Sequence, residues 1–218
     1  MKVEILDTTL RDGEQTSGVS FSSSEKLGIA RLLLEELHVP RMEIASARVS
    51  DGEFDSVKRV CRWAERMGHI DKIEVLGFLD NGLSIDWVKN VGARVINLLT
   101  KGSERHCVNQ LKQTPEQHIQ KITDEVERAV AAGLKVNIYL EDWSNGMKDS
   151  YNYVYNLMDS LRHLPIQRFM LADTLGVLNP YDTLAHVQRM IKRYPELHFD
   201  FHAHNDYDLA VANSLSAV

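Results

Sequence analysis

Short apolar runs rich in β-branched residues recur along the chain at intervals of about 30 residues. Between them, apolar residues recur every three or four positions, which is the period of an amphipathic helix. This alternation predicts seven strands, each followed by a helix. The predicted strands are residues 3–6, 42–45, 73–76, 94–99, 136–140, 169–171 and 197–201.

The predicted helices have recognisable starts and apolar faces. Leu27, Ala30, Leu34 and Leu37 share one face of the first helix. An Asn-Gly pair at 145–146 is interpreted as a turn. Three helix starts combine a capping side chain with an acidic or amide residue three positions later: Ser22 with Glu25, Thr114 with Gln117, and Asn179 with Asp182.

Strands that alternate with helices are typical of a parallel sheet covered by helices, either an open doubly wound sheet or a closed barrel. An open sheet that binds a dinucleotide carries Gly-x-Gly-x-x-Gly after its first strand. Here that turn, residues 7–15, reads Asp-Thr-Thr-Leu-Arg-Asp-Gly-Glu-Gln and is charged. We therefore predict an α/β fold, the TIM (β/α)8 barrel. Residues 1–218 would form one catalytic domain that holds seven units and ends before the eighth.

Composition and charge narrow the class of protein. Hydrophobic residues make up 44% and charged residues 26% of the 218 residues, as in an ordinary globular protein. The net charge of −6 leaves no basic excess to hold a phosphate backbone, so we expect no nucleic-acid partner. Two cysteines cannot form a disulfide framework, early acidic residues argue against a signal peptide, and no apolar run approaches about 18 residues. These features predict a cytoplasmic protein with no membrane partner.

Polar residues collect in or directly after the predicted strands. In a barrel, catalytic side chains lie at the carboxyl ends of the strands. Five strands carry polar residues there: Arg11, Asp12, Glu14 and Gln15; Glu43; Tyr139, Glu141 and Asp142; Asp173 and Thr174; and His202, His204, Asn205 and Asp206. We expect these side chains to surround one site at the mouth of the barrel.

His202 and His204 are candidate metal ligands. Residues at i and i+2 of a strand face the same side, and two imidazoles with a carboxylate suit a divalent metal. Asp12 is the candidate carboxylate, since the first and seventh strands flank the position of the eighth. Surface or hydrogen-bonded histidines also explain the pattern. The ligand types admit Zn, Mn, Co or Mg.

Four other residues have both a chemical and a structural interpretation. Arg11 could stabilise charge that develops on an enolate, or form a surface ion pair. Glu43 needs a partner if it is buried, and Arg11 is the natural one. Glu141 could act as a base if it is partly desolvated, or be a solvated loop acid. Thr174 could bind a substrate carboxylate, or cap a turn.

Two strings resemble the signatures of a known family. Residues 7–15, quoted above, and residues 202–206, His-Ala-His-Asn-Asp, resemble those of the 2-isopropylmalate, homocitrate and citramalate synthases. The resemblance spans the whole chain. It implies a metal-dependent barrel that condenses acetyl-CoA with a 2-oxo acid in leucine or isoleucine biosynthesis. The implied roles are metal ligation by Asp12, His202 and His204, substrate binding by Arg11 and Thr174, orientation of Arg11 by Glu43, and general-base catalysis by Glu141.

The preferred substrate follows from the same resemblance. Residues 139–146, Tyr-Leu-Glu-Asp-Trp-Ser-Asn-Gly, resemble bacterial citramalate synthase. That match implies that Leu76, Leu99 and Tyr139 line the pocket for the oxo-acid side chain, and a tyrosine there favours pyruvate over 2-oxoisovalerate. 2-Isopropylmalate synthase and homocitrate synthase are the alternatives. Asp208 departs from the glycine that many members have, and the family's strand-eight segment does not occur in these residues.

Two other classes of function stay open. The wider superfamily includes metal-dependent carbon–carbon lyases such as hydroxymethylglutaryl-CoA lyase. The chain could also be an inactive structural fragment, because a missing strand leaves two sheet edges unpaired. The resemblance further implies that the full-length protein is a homodimer.

Overall fold

The computed structural model describes residues 3–218, so the first two residues of the segment tested above for a signal peptide lie outside it. Its backbone forms a parallel sheet of seven strands whose order in the sheet follows the chain. The strands are β1 (Leu6–Asp7), β2 (Arg41–Ser46), β3 (Ile73–Gly77), β4 (Val95–Lys101), β5 (Lys135–Glu141), β6 (Ile166–Asp173) and β7 (Phe199–Ala203).

Every strand is followed by at least one α-helix, and two helices follow β5. The helices are α1 (Ser23–Arg31), α2 (Asp51–Arg66), α3 (Leu83–Val91), α4 (Pro115–Ala131), α5 (Trp143–Asp149), α6 (Tyr151–Leu161), α7 (Pro180–Arg193) and α8 (Ala210–Ser216). Parallel strands in chain order with helical connections are the arrangement of a (β/α)8 barrel. The predicted fold class is therefore confirmed, with seven of its eight units among residues 3–218.

The predicted helix starts form as hydrogen-bonded caps. Before α1, the Glu25 N–H donates to the Ser22 hydroxyl, and the Ser22 N–H donates to the Glu25 carboxylate at 2.7 Å. These bonds satisfy N–H groups that have no partner within the helix. The same local exchange joins Thr114 with Gln117. Before α7, the Asp182 N–H donates to Asn179 Oδ1, and the Asn179 side-chain amide donates to the Asp182 carboxylate.

The first and the seventh predicted strands begin two or more residues before the observed ones. Residues 3–5 are exposed and lie before β1, because β2 begins at Arg41 and pairs first with Leu6. The seventh strand begins at Phe199 rather than at residue 197, since the Leu197 N–H donates to the Tyr194 carbonyl in the turn that closes α7. Local apolar patterning locates a strand, whereas its ends depend on the neighbour with which it pairs.

Two local interpretations were wrong. Leu37 is exposed, because α1 continues into a wider π-helical turn, Leu32–Glu36, which rotates Leu37 away from the apolar face. The Asn-Gly pair at 145–146 lies inside helix α5 rather than in a turn. The glycine there meets a packing requirement, because a Cβ on Gly146 would lie 2.0 Å from the Gly102 carbonyl oxygen.

The described chain divides into two compact units, each with its own buried core. The first comprises residues 3–98 and 128–135, and Leu10, Met42 and Ile44 are among its largest fully buried side chains. The second comprises residues 99–127 and 136–218, and its core includes Trp143 and Phe169. None of the helices in residues 3–218 combines the length and the hydropathy that crossing a bilayer requires.

Candidate active site

The charged turn after β1 is built by short-range hydrogen bonds in the first unit. The N–H groups of Arg11, Asp12 and Gly13 all converge on the Thr8 carbonyl oxygen at 2.8–3.1 Å. The Asp7 carboxylate accepts two bonds from Thr9, one from its N–H and one from its hydroxyl, both at 3.0 Å. Residues 7–9 therefore hold the loop in shape, which presents the side chains of Arg11 and Asp12 at the strand end.

Arg11 is held by two carboxylates. Its Nε donates to Glu43 Oε2 at 2.5 Å, and its Nη1 donates to Asp12 Oδ1 at 2.8 Å. Glu43, on β2, is fully buried, so the Arg11 guanidinium is the cation that offsets the cost of burying this carboxylate. Charge-assisted bonds of this kind fix the plane of the guanidinium. The structure thus joins the predicted pair and adds Asp12 to it.

The contact between Arg11 and Glu43 extends into a buried network that sequence reasoning missed. The Asn97 side-chain amide donates to Glu43 at 2.7 Å and to Glu74 at 2.9 Å. Arg41 makes a two-point contact with Glu74 at 2.5 and 3.0 Å. The pKa of Glu74 is raised, because burial penalises its charged form more than Arg41 stabilises it.

The signal for this network was present in the sequence. Glu74 and Asn97 are polar residues inside otherwise apolar predicted strands, and a buried polar group in a strand needs a partner. The two carboxylates that the Asn97 amide bonds are distant in the chain, since 54 positions separate it from Glu43 and 23 separate it from Glu74. Leu76, which the resemblance assigned to the substrate pocket, is buried on β3 in the same unit.

In the second unit, His202 and His204 lie side by side. His202 is on β7 and His204 follows its last residue, with the two ring centroids 5.1 Å apart. The Tyr139 ring packs edge-on against His202 with a centroid distance of 5.9 Å. Both histidines are partly exposed, whereas Tyr139 is buried. Two accessible imidazoles this close fit the donor chemistry of a divalent transition metal.

Glu141, at the end of β5, is paired with a lysine. Lys101, the last residue of β4, donates from its ammonium to Glu141 Oε2. The Lys101 side chain is 10% exposed and that of Glu141 is 21% exposed, so the ion pair is largely shielded from water. Sequence reasoning did not select Lys101. Leu99, two residues earlier on β4, is partly exposed.

Thr174, directly after β6, lies beside the end of β5. Its Oγ1 accepts a hydrogen bond from the Asp142 N–H at 2.8 Å. This contact uses an oxygen lone pair and leaves the hydroxyl hydrogen able to donate. The preceding Asp173 accepts from the N–H groups of Val177 and Leu178 at 3.0 Å. Asp173 therefore shapes the turn, and Thr174 keeps a donor at its surface.

Other polar residues selected from the sequence have structural partners. The Glu14 carboxylate contacts Lys26 at 2.5 Å. Asn205 Oδ1 accepts from the Ala210 N–H at 3.1 Å and caps α8. The Asp142 carboxylate accepts from the Ser103 hydroxyl at 2.7 Å.

Comparison with known proteins identifies relatives along the whole chain. A family model described as HMGL-like matches residues 2–218. A protein of Ignicoccus hospitalis named "Probable 2-isopropylmalate synthase" is 33% identical over 217 residues, which is 100% of this chain and 52% of the relative. The homocitrate synthase of Sulfolobus acidocaldarius is 32% identical over 221 residues, covering 100% of this chain and 45% of the relative. The chain thus spans about half the length of these curated relatives.

Solved structures share the fold. A hydroxymethylglutaryl-CoA lyase from Pseudomonas aeruginosa superposes with a TM-score of 0.75 and 17% identity, covering 99% of this chain and 72% of that one. The deoxyribose phosphate aldolase of Aeropyrum pernix superposes with a TM-score of 0.62 and 12% identity, covering 97% of this chain and 81% of that one. At these identities the likeness concerns the fold alone.

Proposed function

Since this chain belongs to the HMGL-like family, we propose that the protein is a metal-dependent enzyme that condenses acetyl-CoA with a 2-oxo acid. The observation that carries the proposal is the identity of 33% and 32%, along the entire chain, to two relatives named as synthases of this kind. The product would be a 2-hydroxy-diacid of branched-chain amino-acid biosynthesis. Residues 1–218 would form its catalytic barrel domain.

We assign the divalent metal to Asp12, His202 and His204. All three side chains are partly exposed, so that an ion can reach them. The donor set of two imidazoles and one carboxylate admits Zn, Mn, Co or Mg. The ion would supply Lewis-acid polarisation of the substrate carbonyl.

The roles proposed for the other residues use the contacts described above. Arg11 binds the 2-oxo acid and stabilises negative charge on its carbonyl oxygen as the new bond forms, while Glu43 fixes the guanidinium. Thr174 donates its free hydroxyl hydrogen to the substrate carboxylate. Glu141 removes a proton from the acetyl methyl group, and the resulting enolate attacks the carbonyl carbon. Water then cleaves the thioester, which releases CoA and the 2-hydroxy-diacid.

Pyruvate is the proposed 2-oxo acid, which makes the protein a citramalate synthase. Tyr139 supports this choice, because its bulky ring is buried and packed against His202 and cannot easily move aside for a larger substrate. The assignment of Leu76 and Leu99 to the same pocket rests on the resemblance of residues 139–146. Size selection against added methyl groups is modest, about 10- to 200-fold per group.

The test is an assay of free CoA release by the full chain with added divalent metal and acetyl-CoA. We expect a higher kcat/KM for pyruvate than for 2-oxoisovalerate or 2-oxoglutarate. A preference for 2-oxoisovalerate would make the protein a 2-isopropylmalate synthase, and a preference for 2-oxoglutarate a homocitrate synthase. No CoA release with any 2-oxo acid refutes the synthase proposal, and cleavage of a 3-hydroxyacyl-CoA would then favour a carbon–carbon lyase.

A homodimer and a cytoplasmic location also belong to this proposal. Sedimentation of the full chain measures the oligomeric state, and fractionation of cells that contain the protein measures its location. A monomer, or recovery of the protein with membranes, would contradict them. Turnover by the full chain would exclude an inactive structural role.

A further inference from the structure

The backbone of Lys101 is held on both sides by a buried pair of side chains from two helices. The Tyr153 hydroxyl, on α6, donates to the Lys101 carbonyl oxygen at 3.0 Å. The Lys101 N–H donates to His118 Nε2, on α4, across a longer distance of 3.4 Å. His118 Nδ1 and the Tyr153 hydroxyl are 2.8 Å apart. The three residues therefore form a closed ring of hydrogen bonds, which we call the Lys101 clamp.

The directions of these bonds are mutually consistent for one protonation state. His118 Nε2 accepts from Lys101, so the proton of a neutral imidazole lies on Nδ1 and donates to the Tyr153 oxygen. Tyr153 then donates its own proton to the Lys101 carbonyl. Burial lowers the pKa of His118 to about 4 and raises that of Tyr153, so both side chains are neutral near pH 7.

The residues on either side of Lys101 are hydrogen-bonded to the backbone of β5. The Gly102 N–H donates to the Glu141 carbonyl oxygen at 2.6 Å, and the Thr100 hydroxyl donates to the Tyr139 carbonyl oxygen at 2.7 Å. A Cβ on Gly102 would lie 2.9 Å from the Leu140 carbonyl oxygen, so the two strand ends approach as closely as glycine allows. Lys101 and Glu141 thus start from backbones that are fixed relative to each other.

We propose that Lys101 is a positioning residue, which through its clamp by His118 and Tyr153 holds the Glu141 carboxylate in the orientation needed for proton removal. This inference rests on the proposed role of Glu141 as the base. A general base must lie within hydrogen-bond reach of the proton that it removes. The Glu141 side chain ends in a rotatable carboxylate, and the ammonium of Lys101 fixes one of its oxygens. The other oxygen is then presented in a constant direction.

The need for a fixed Lys101 backbone explains why His118 and Tyr153 are buried against it. Lys101 has a long, flexible side chain, so its ammonium can define a position only if its backbone is rigid. His118 and Tyr153 provide that rigidity, because they occupy both backbone polar groups of Lys101 and are themselves almost completely buried. A lysine serving only solubility would need neither partner.

The test combines a structural readout with kinetics. Glutamate labelled with 13C at the side-chain carboxyl is introduced into the full chain, and the Glu141 resonance is assigned by its loss in Glu141→Gln. We expect Lys101→Met and Tyr153→Phe to shift or broaden this resonance. We also expect Lys101→Met to lower kcat about 10- to 100-fold while KM for the 2-oxo acid changes less than about threefold. Lys101→Arg should recover part of the kcat.

Two controls match these variants. Lys135→Met removes an exposed lysine that contacts Asp71 at 3.0 Å, and Tyr151→Phe alters an exposed tyrosine on the same helix as Tyr153. Neither should move the Glu141 resonance or kcat. Tyr153→Phe leaves the Lys101 side chain in place, so it tests the clamp even if Lys101→Met folds poorly.

The outcomes separate this inference from the proposed function. An unchanged Glu141 resonance in both variants overturns the positioning role, even in an active synthase. A shifted resonance with unchanged kcat in an active synthase also overturns it, because orientation would then have no catalytic consequence. A shifted resonance in a protein that releases no CoA supports the positioning of Glu141 and refutes the synthase proposal.

Discussion

The buried histidine of the clamp should make folding stability depend on pH in a defined way. Burial first, and then the nearby cations of Lys101 and Lys121, lower the pKa of His118 to about 4. The unfolded chain therefore binds this proton more readily than the folded chain. The gap between an ordinary histidine pKa of about 6.5 and the folded value corresponds to about 3 kcal/mol. That stability is complete above about pH 6.5 and is lost as the pH falls toward 4.

The assay is urea unfolding of the wild type and of His118→Gln at several pH values between about 7 and 4. Other groups also titrate in this range, so the informative quantity is the difference in unfolding free energy between the two proteins. We expect the wild type to lose about 3 kcal/mol relative to the variant over this interval. His163→Gln, at an exposed position, should run parallel to the wild type. A difference between wild type and His118→Gln that does not change with pH would refute the reasoning.

Four further predictions concern packing and the site. Gly146→Ala should destabilise the fold by about 1–3 kcal/mol, measured by thermal unfolding, since its Cβ would lie 2.0 Å from the Gly102 carbonyl oxygen; unchanged stability would contradict that packing. Asn97→Leu should cost about 3 kcal/mol and lower kcat, because it removes the amide shared by two buried carboxylates; stability equal to the wild type in urea would contradict this. Tyr139→Val should raise kcat/KM for 2-oxoisovalerate relative to pyruvate by about 10-fold or more, and an unchanged ratio would remove Tyr139 from the pocket. Removal of divalent metal by a chelator should abolish CoA release, which added Mn or Zn restores, whereas full activity of the metal-free protein would reject the metal proposal.

Features set by short stretches of sequence were predicted well. The order of strands and helices and the cap formed by Ser22 and Glu25 depend on residues that are close together in the chain. Two of the errors arose where a second element decides the outcome. The extent of β1 depends on where β2 begins, and the glycine at 146 is required by a carbonyl group 44 residues earlier in the chain.

The candidate site shows the same division. Arg11 and Glu43 could be paired from the sequence, because a buried carboxylate in an apolar strand needs a cation and a charged turn supplied one. The amide of Asn97 could not be placed, since its two partners lie on two other strands. Sequence reasoning did not select Lys101 for the same reason. Its importance depends on contacts with α4, α6 and β5.

The sequence by itself determined the class of fold, the positions of the charged turn and of the two histidines, and the family to which the chain belongs. These properties follow from periodicity and from motifs that are contiguous in the chain. Only the tertiary structure decided which buried polar groups satisfy one another. That choice depends on how β-strands and helices distant in sequence come together. Its energetic consequence is large, because desolvation makes a buried charge or amide without a hydrogen-bond partner costly in folding free energy.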